Sequence, residues 1–283
     1  MGRVFSPALA VALVLTAAPA RTAPPDHLAL VACAPGWPGT TAEAQRGMDA
    51  LVSALARSAG LPEGSISGVY LPAEQEGLER VSRPDAAVAL VPLPFFAKHA
   101  AALKLEPRLT VVMQDADAAG DVWTLVAKKG RVTSPAALAG LTLSSSAGYA
   151  PGFIRGILSA WGQLPAGVRI VQSSQVLSAL RKAASDGDVA VLLDGAQSRS
   201  LSSLPFAAEL EVVARSSPVP AGVIATIGRR LTPERWSMLE RAFLTLPSTE
   251  GGKEALAGIQ TRQFSALDGP ARDAVQRAAR WGG

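Results

Sequence analysis

The chain has 283 residues, 48% of them hydrophobic, with 27 Lys and Arg against 23 Asp and Glu, a formal charge of +4 and a single cysteine. That length suits two lobes with cores of their own. The mild charge, with no lysine-rich block or basic tail, argues against nucleic acid as a partner, and one cysteine excludes a disulfide framework.

Residues 1–20 place Arg3 ahead of an apolar run from Ala8 to Ala18 and end in Ala18-Pro19-Ala20, the pattern of a cleaved secretory signal. The run is 11 residues long, against roughly 20 for a membrane-spanning helix. A periplasmic or otherwise exported protein beginning near Arg21 is expected, its formal charge lowered from +4 to +3 by loss of Arg3. Leu30-Val31-Ala32-Cys33 has the form of a lipobox, but Asp26 and His27 interrupt the apolar run that should lead into it, so Cys33 is read as part of a strand.

From Leu28 onward short apolar runs alternate with helical patterns, the mark of an α/β protein with largely parallel strands. Leu28–Ala34 reads as a strand. Thr40-x-x-Glu43 is a capping box that opens a helix carrying Met48, Leu51, Val52 and Leu55 inward and stopping at Gly60. A strand over Ile66–Leu71 leads to a short helix through Leu78 and Val81. Asp85–Leu93 reads as a strand covered on both faces, Phe95–Leu103 as a helix and Leu109–Met113 as a fourth strand. After a polar, acidic link, Val122–Ala127 restarts the pattern, and Ser134-Pro135 opens a capped single turn. A second lobe then holds strands Leu141–Ser144, Val168–Gln172 and Val189–Leu193 with helices Pro151–Trp161 and Ser174–Ser185. Leu210–Ala214 is a strand before the proline-punctuated 216–220, which reads as a crossing back to the first lobe. A strand over Val223–Ile227 and a helix opened by Thr232-Pro233 follow, and the remainder reads as helical and polar.

The run with most chemical content is Ser144-Ser145-Ser146-Ala147-Gly148-Tyr149-Ala150-Pro151, a serine-rich turn ahead of a helix. Free backbone N–H groups, the helix dipole and nearby hydroxyls can together hold an oxyanion. The same residues also describe an ordinary N-terminal cap. Tyr149 can reach into a cleft or pack under the helix. Trp37 in the first strand-to-helix loop and Phe95 after the third strand can each cover a ligand or anchor a loop. Asp194, emerging from the apolar strand Val189–Leu193, can select a donor on a ligand or cap a turn. Arg155, Lys128 and Lys129 could neutralise an anion, although such charges are usually solvated. The catalytic inventory is thin: two histidines, His27 and His99, with no nucleophile elbow, metal cluster, phosphate-binding loop or dinucleotide fingerprint. Neither an enzyme nor a cofactor is expected.

With these elements in order, the chain resembles the phosphate/phosphonate-binding proteins of ABC transporters, within the type II periplasmic-binding-protein fold. Three passages carry the resemblance: 83–95 (Arg-Pro-Asp-Ala-Ala-Val-Ala-Leu-Val-Pro-Leu-Pro-Phe), Trp123–Lys128 through Leu138-Ala139-Gly140, and the Ser145–Tyr149 turn. It implies an α/β protein of two lobes joined by two crossing hinge strands: residues 21–126 and 215–283 in the first lobe, 127–214 in the second. It also implies a monomer that traps a small anionic, phosphate- or phosphonate-like ligand for a membrane permease. The family's anion turn falls on Ser145, Ser146, Ala147 and Gly148, with the third hydroxyl lost, and Tyr149 follows it. Where the family often has a His, this chain has Ser173 or Ser174. Asp194 matches the family's acidic contact for a ligand amine, the aromatic expected near Glu74 and Gln75 is replaced by polar residues, and Ala221 and Gly222 stand where an acid or amide is common. The altered shell keeps two alternatives open: a sensing module for a membrane receptor, and a degenerate homologue that binds nothing.

Overall fold

A computed structural model describes residues 27–37, 39–116 and 120–282; the signal-like segment and Arg21 lie outside them. The strands are β1 (Leu28–Cys33), β2 (Ile66–Leu71), β3 (Ala86–Pro92), β4 (Leu105–Met113), β5 (Thr124–Lys128), β6 (Thr142–Ser145), β7 (Arg169–Gln172), β8 (Val189–Leu193), β9 (Leu210–Arg215), β10 (Gly222–Ile227) and β11 (Thr261–Ala266). The helices are α1 (Thr41–Ser58), α2 (Glu74–Ser82), α3 (Leu93–Leu103), α4 (Pro151–Ile157), α5 (Val176–Asp186), α6 (Gly195–Arg199), α7 (Pro233–Thr245), α8 (Gly252–Gly258) and α9 (Gly269–Ala279). None of the described helices is long and apolar enough to cross a membrane.

The strands form two sheets, ordered β11-β4-β10-β3-β1-β2 and β7-β6-β8-β5-β9. β1 lies parallel to β2 and β3, and β6 parallel to β7 and β8. The other five pairings are antiparallel, so the sheets are mixed rather than largely parallel. The crossings explain this. β5 and β10 are entered directly from the other lobe, at the edge where parallel strands end: Thr124 pairs with Leu193 and Gly222 with Pro92. A strand that starts at that edge must run against its neighbours.

Two passages join the lobes, as expected, one between β4 and β5 and one between β9 and β10. They are tied to each other, the Asp121 N–H donating to the Val219 carbonyl at 2.7 Å and the Val219 N–H to the Asp121 carbonyl at 2.9 Å. Because β5 belongs wholly to the second sheet, the first crossing ends before Thr124, not after residue 126.

β1 shows how sequence drives the layering. Leu28, Leu30 and Ala32 face α1 while Ala29, Val31 and Cys33 face the opposite core, and all six are buried, as a strand covered on both sides requires. Cys33 is fully enclosed, and burial, then the charges of Glu74 and Glu76, push its thiol up to about 12. Gly77 of α2 lies directly over that thiol, where a Cβ would collide with the sulfur. The capping box of α1 forms as the sequence indicates, Glu43 N–H donating to Thr40 Oγ1 at 3.2 Å and Thr40 N–H to Glu43 Oε2 at 3.1 Å.

Other boundaries move. Ser134 makes no side-chain cap to the 3₁₀ turn Pro135–Leu138, α4 ends at Ile157 rather than Trp161, and α5 begins at Val176, leaving Ser174 outside it. The C-terminal segment is not purely helical: β11 adds to the edge of the first sheet beside β4.

Candidate functional site

The C-terminal ends of the parallel strands in both sheets point at the gap between the lobes, which is where open α/β sheets bind ligands. The loop after β1 brings Ala34 to Trp37 and the end of β3 brings Pro92. The turn after β6 brings Ser146, Ala147 and Tyr149, the residue after β8 is Asp194, and the hinge brings Asp121 and Ala221. Together they line a cavity of about 150 Å³, roughly ten times the space one ordered water occupies. Small solutes fit that volume.

Seven residues were expected to contact a ligand, and three of them line this cavity. Ser146 is 9% exposed, and its hydroxyl has no hydrogen-bond partner among the described residues. It faces the first lobe: a Cβ on Gly36, whose φ is +83°, would come 3.0 Å from the Ser146 carbonyl oxygen. Tyr149 is 8% exposed, and its hydroxyl is fully buried without a partner. Burial first, then the charges of Cys33 and Glu74, holds that phenol well above its ordinary pKa, so it remains a neutral donor. Asp194 both lines the cavity and caps α6, accepting from Gln197 N–H at 2.8 Å while the Gln197 side chain accepts from Asp194 N–H at 3.2 Å. Its cap and its place in the cavity coexist because a carboxylate has several acceptor sites.

The other four stand elsewhere. Ser145 is 1% exposed, and its hydroxyl donates to the Leu192 carbonyl at 2.8 Å and accepts from Ala147 N–H at 3.2 Å, tying β6 to β8 and closing its own turn. Gly148 donates its N–H to the Ser145 carbonyl at 3.1 Å and lies so close to β7 that a Cβ would collide with the Val171 carbonyl. Ser173 uses its hydroxyl to accept from Gln175 N–H at 3.1 Å ahead of α5, and Ser174 is exposed. The serine turn therefore spends most of its polar groups on itself. Phe95 is core, Arg155 binds the Leu164 and Pro165 carbonyls, and Lys128 binds the Ser185 carbonyl. His99 contacts Glu74 Oε1 at 2.5 Å, on the α2–α3 side of the first lobe. Trp37 does line the cavity.

The charged residues that line the cavity are Asp121, Asp194 and Arg199, two carboxylates against one guanidinium. Asp121 is a finding of the structure. Its Oδ1 accepts from Gly195 N–H at 2.8 Å, fastening the hinge to the start of α6. Burial, then the nearby charge of Asp194, raises its carboxyl to about 6, with Gly195 N–H and Arg199 opposing. Asp194 is also raised, by burial first, against the N–H groups of Gln197 and Ala196 and the Arg199 charge. Two desolvated carboxylates, one of them raised further by the charge of the other, make a site for a cationic donor. The sequence offered one signal for Asp121, the last acid of the polar link between two apolar strands.

No family model matches the sequence, and no curated protein matches it. Solved structures do. XAC2383 from Xanthomonas citri, bound to chloride, is similar with a TM-score of 0.68 at 18% identity, over 90% of this chain and 97% of its own. A binding protein component of an ABC phosphonate transporter from Pseudomonas aeruginosa gives 0.60 at 17% identity, over 89% of this chain and 88% of its own. PhnD1 from Prochlorococcus marinus, in complex with methylphosphonate, gives 0.60 at 12% identity, over 89% and 97%. At these identities the likeness is one of fold, and it includes the phosphonate-binding proteins that the sequence resembles.

Proposed function

Because the chain has the type II periplasmic-binding-protein fold, we propose that it is an exported, monomeric solute-binding protein that closes on a small zwitterionic ligand and presents it to an ABC permease. The observation that carries this reading is the composition of the interlobe cavity: Asp121 and Asp194 on one side, Ser146 with its free hydroxyl and Tyr149 on the other, and Arg199 at its exposed margin. A ligand ammonium satisfies the carboxylate pair. A ligand oxyanion, of phosphonate type, takes a hydrogen bond from Ser146 and charge from Arg199.

This differs from a purely anionic ligand held by the serine turn, since Ser145 and Gly148 have other partners. Capture works by differential affinity: the cavity has walls from both lobes, so a ligand that bridges them stabilises the closed arrangement over the open one. The hinge carboxylate Asp121 couples the two events, because it touches α6 and lines the cavity at once.

The test is calorimetry of residues 21–283 with 2-aminoethylphosphonate, methylphosphonate, ethylamine, phosphate and taurine. The zwitterions are expected to bind at least tenfold more tightly than either half alone, and Asp194→Asn to remove that preference without affecting methylphosphonate. Equal affinity for methylphosphonate and 2-aminoethylphosphonate would overturn the carboxylate assignment. No binding by any member would favour a degenerate or purely protein-contacting role.

A further inference from the structure

The first lobe contains a second chamber that the cavity lining above does not use. It measures about 100 Å³ and adjoins the interlobe cavity, with Ala34, Trp37, Pro92, Met113 and Ala221 common to both. Beyond that shared rim its walls come from the α1 and α8 face of the first sheet and are almost wholly apolar, chiefly Met48, Tyr70, Leu90, Val111 and Ile259.

Its origin can be read residue by residue. Along β1 the positions facing α1 are filled by Leu28 and Leu30, but the last is Ala32. Ala44 in the first turns of α1, Gly222 at the start of β10 and Gly258 at the end of α8 share the lining. The two alanines leave this ligand-facing end of an otherwise well-filled core unfilled, while the glycines are set by backbone contacts, a Cβ on Gly222 coming 2.6 Å from the Val91 carbonyl oxygen and one on Gly258 3.4 Å from Gly47 Cα. Tyr70, Leu90, Met113 and Ile259 are correspondingly only part-buried. Interiors normally close such gaps, since an unfilled apolar void costs contacts on every side.

From this juxtaposition we infer that the chamber receives an apolar substituent of the same ligand, so that the solute is amphiphilic: a zwitterionic head between the lobes and a short alkyl chain in the first lobe. The inference rests on the proposed head-group site, because only a molecule anchored there reaches over the shared rim. The chamber is smaller than the roughly 150 Å³ apolar void that accepts benzene, which sets the tail at a few carbons. Trp37 forms part of the rim that the tail passes. Tyr70 offers a hydroxyl without a hydrogen-bond partner among the described residues, and a terminal polar atom on the tail can use it.

The test uses 1-aminoethyl-, 1-aminobutyl- and 1-aminohexylphosphonate with the wild type and with Ala44→Phe, a substitution at a part-buried helical position that fills the chamber. Affinity is expected to rise about fourfold for each methylene that enters. Ala44→Phe should abolish that rise and leave the aminoethyl compound unchanged. Chain-length independence in the wild type, or an equal loss for every homologue in Ala44→Phe, would overturn the inference. Xenon, small enough for the chamber, separates this from the head-group reading. Under pressure it should raise the melting temperature of the wild type but not of Ala44→Phe, whether or not any phosphonate binds. The absence of a xenon shift sinks the chamber, whereas a xenon shift with no phosphonate binding sinks the head-group assignment.

Discussion

Asp121 and Tyr149 each carry an unfavourable environment, and a ligand can relieve that of Asp121. For Asp121 the sign follows from its proton affinity. Its folded pKa, about 6, lies above its ordinary 3.8, so the native state holds the proton that the unfolded state has already lost. Stability contributed by this residue is greatest below about pH 4, falls as the pH rises towards 6, and stays low above it. Asp121→Asn should therefore match the wild type at pH 4 and exceed it at pH 7, by about 2 kcal/mol after allowing for partial exposure. Melting temperatures at the two pH values check this, and a difference constant with pH would refute it. Ligand binding should show the opposite face of the same shift, with affinity for an amine increasing as the pH passes through 6. Tyr149 presents a buried hydroxyl with no partner, a condition that costs about 1–3 kcal/mol. Tyr149→Phe is expected to raise the ligand-free melting temperature. A fall would mean that the hydroxyl serves the fold.

At the scale of elements, glycine and serine in the turn after β6 have purposes that their spacing cannot reveal. Gly148 is required because the turn lies on the β7 backbone at Val171. Gly148→Ala should cost about 3 kcal/mol by overpacking, whereas Gly167→Ala, with no atom within 4 Å of the new methyl, should change stability by less than about 1 kcal/mol. Thermal denaturation of the pair gives the comparison, and equal losses would remove the packing argument. The identity of the turn was legible from sequence, but the direction of its hydroxyls was not, because Ser145 is aimed by the pairing of β6 with β8, a contact across 47 residues. Strands buried on both faces were legible almost to the residue, β1 and β8 among them, since a continuous apolar run between turn residues has few other readings. β11 was not. It is an edge strand whose pattern of burial keeps only Thr261 and Phe264 fully inside, with an irregular register against β4. Its polar residues read as a continuation of the surrounding helices. α6 has five residues, too few for a helical period to show. The site divides the same way: Asp194 stood out at the end of an apolar strand, whereas Asp121 and Arg199 become neighbours only through the hinge.

For the molecule as a whole, the lobes share more than a hinge. One apolar cluster runs from β1 and α3 of the first lobe through Trp123 to Phe153 of α4 in the second. Phe153 stacks edge-on against Trp123 at 5.1 Å and against Trp281, beyond α9, at 5.8 Å. Gly152 and Gly156 leave α4 bare where Trp281 lies on it, and a Cβ at either would collide with that residue. Nearby, Lys98 of α3 donates to the Tyr149 carbonyl at 2.7 Å and pairs with Glu74 at the same distance. These contacts hold α4, and with it the turn bearing Ser146 and Tyr149, against the first lobe. If they stabilise the closed arrangement, removing them should act on ligand binding as well as on folding. Trp281 is part-buried, so Trp281→Ala should cost about 2 kcal/mol of interlobe contact, short of the 3–5 kcal/mol of a fully buried aromatic. Spread over the open and closed states, that loss predicts at least a tenfold weaker ligand affinity and a larger radius of gyration by small-angle scattering in the absence of ligand, with the difference in size vanishing at saturation. A variant that melts earlier but keeps its affinity and its size would assign Trp281 to the fold alone and leave closure to the hinge and the ligand.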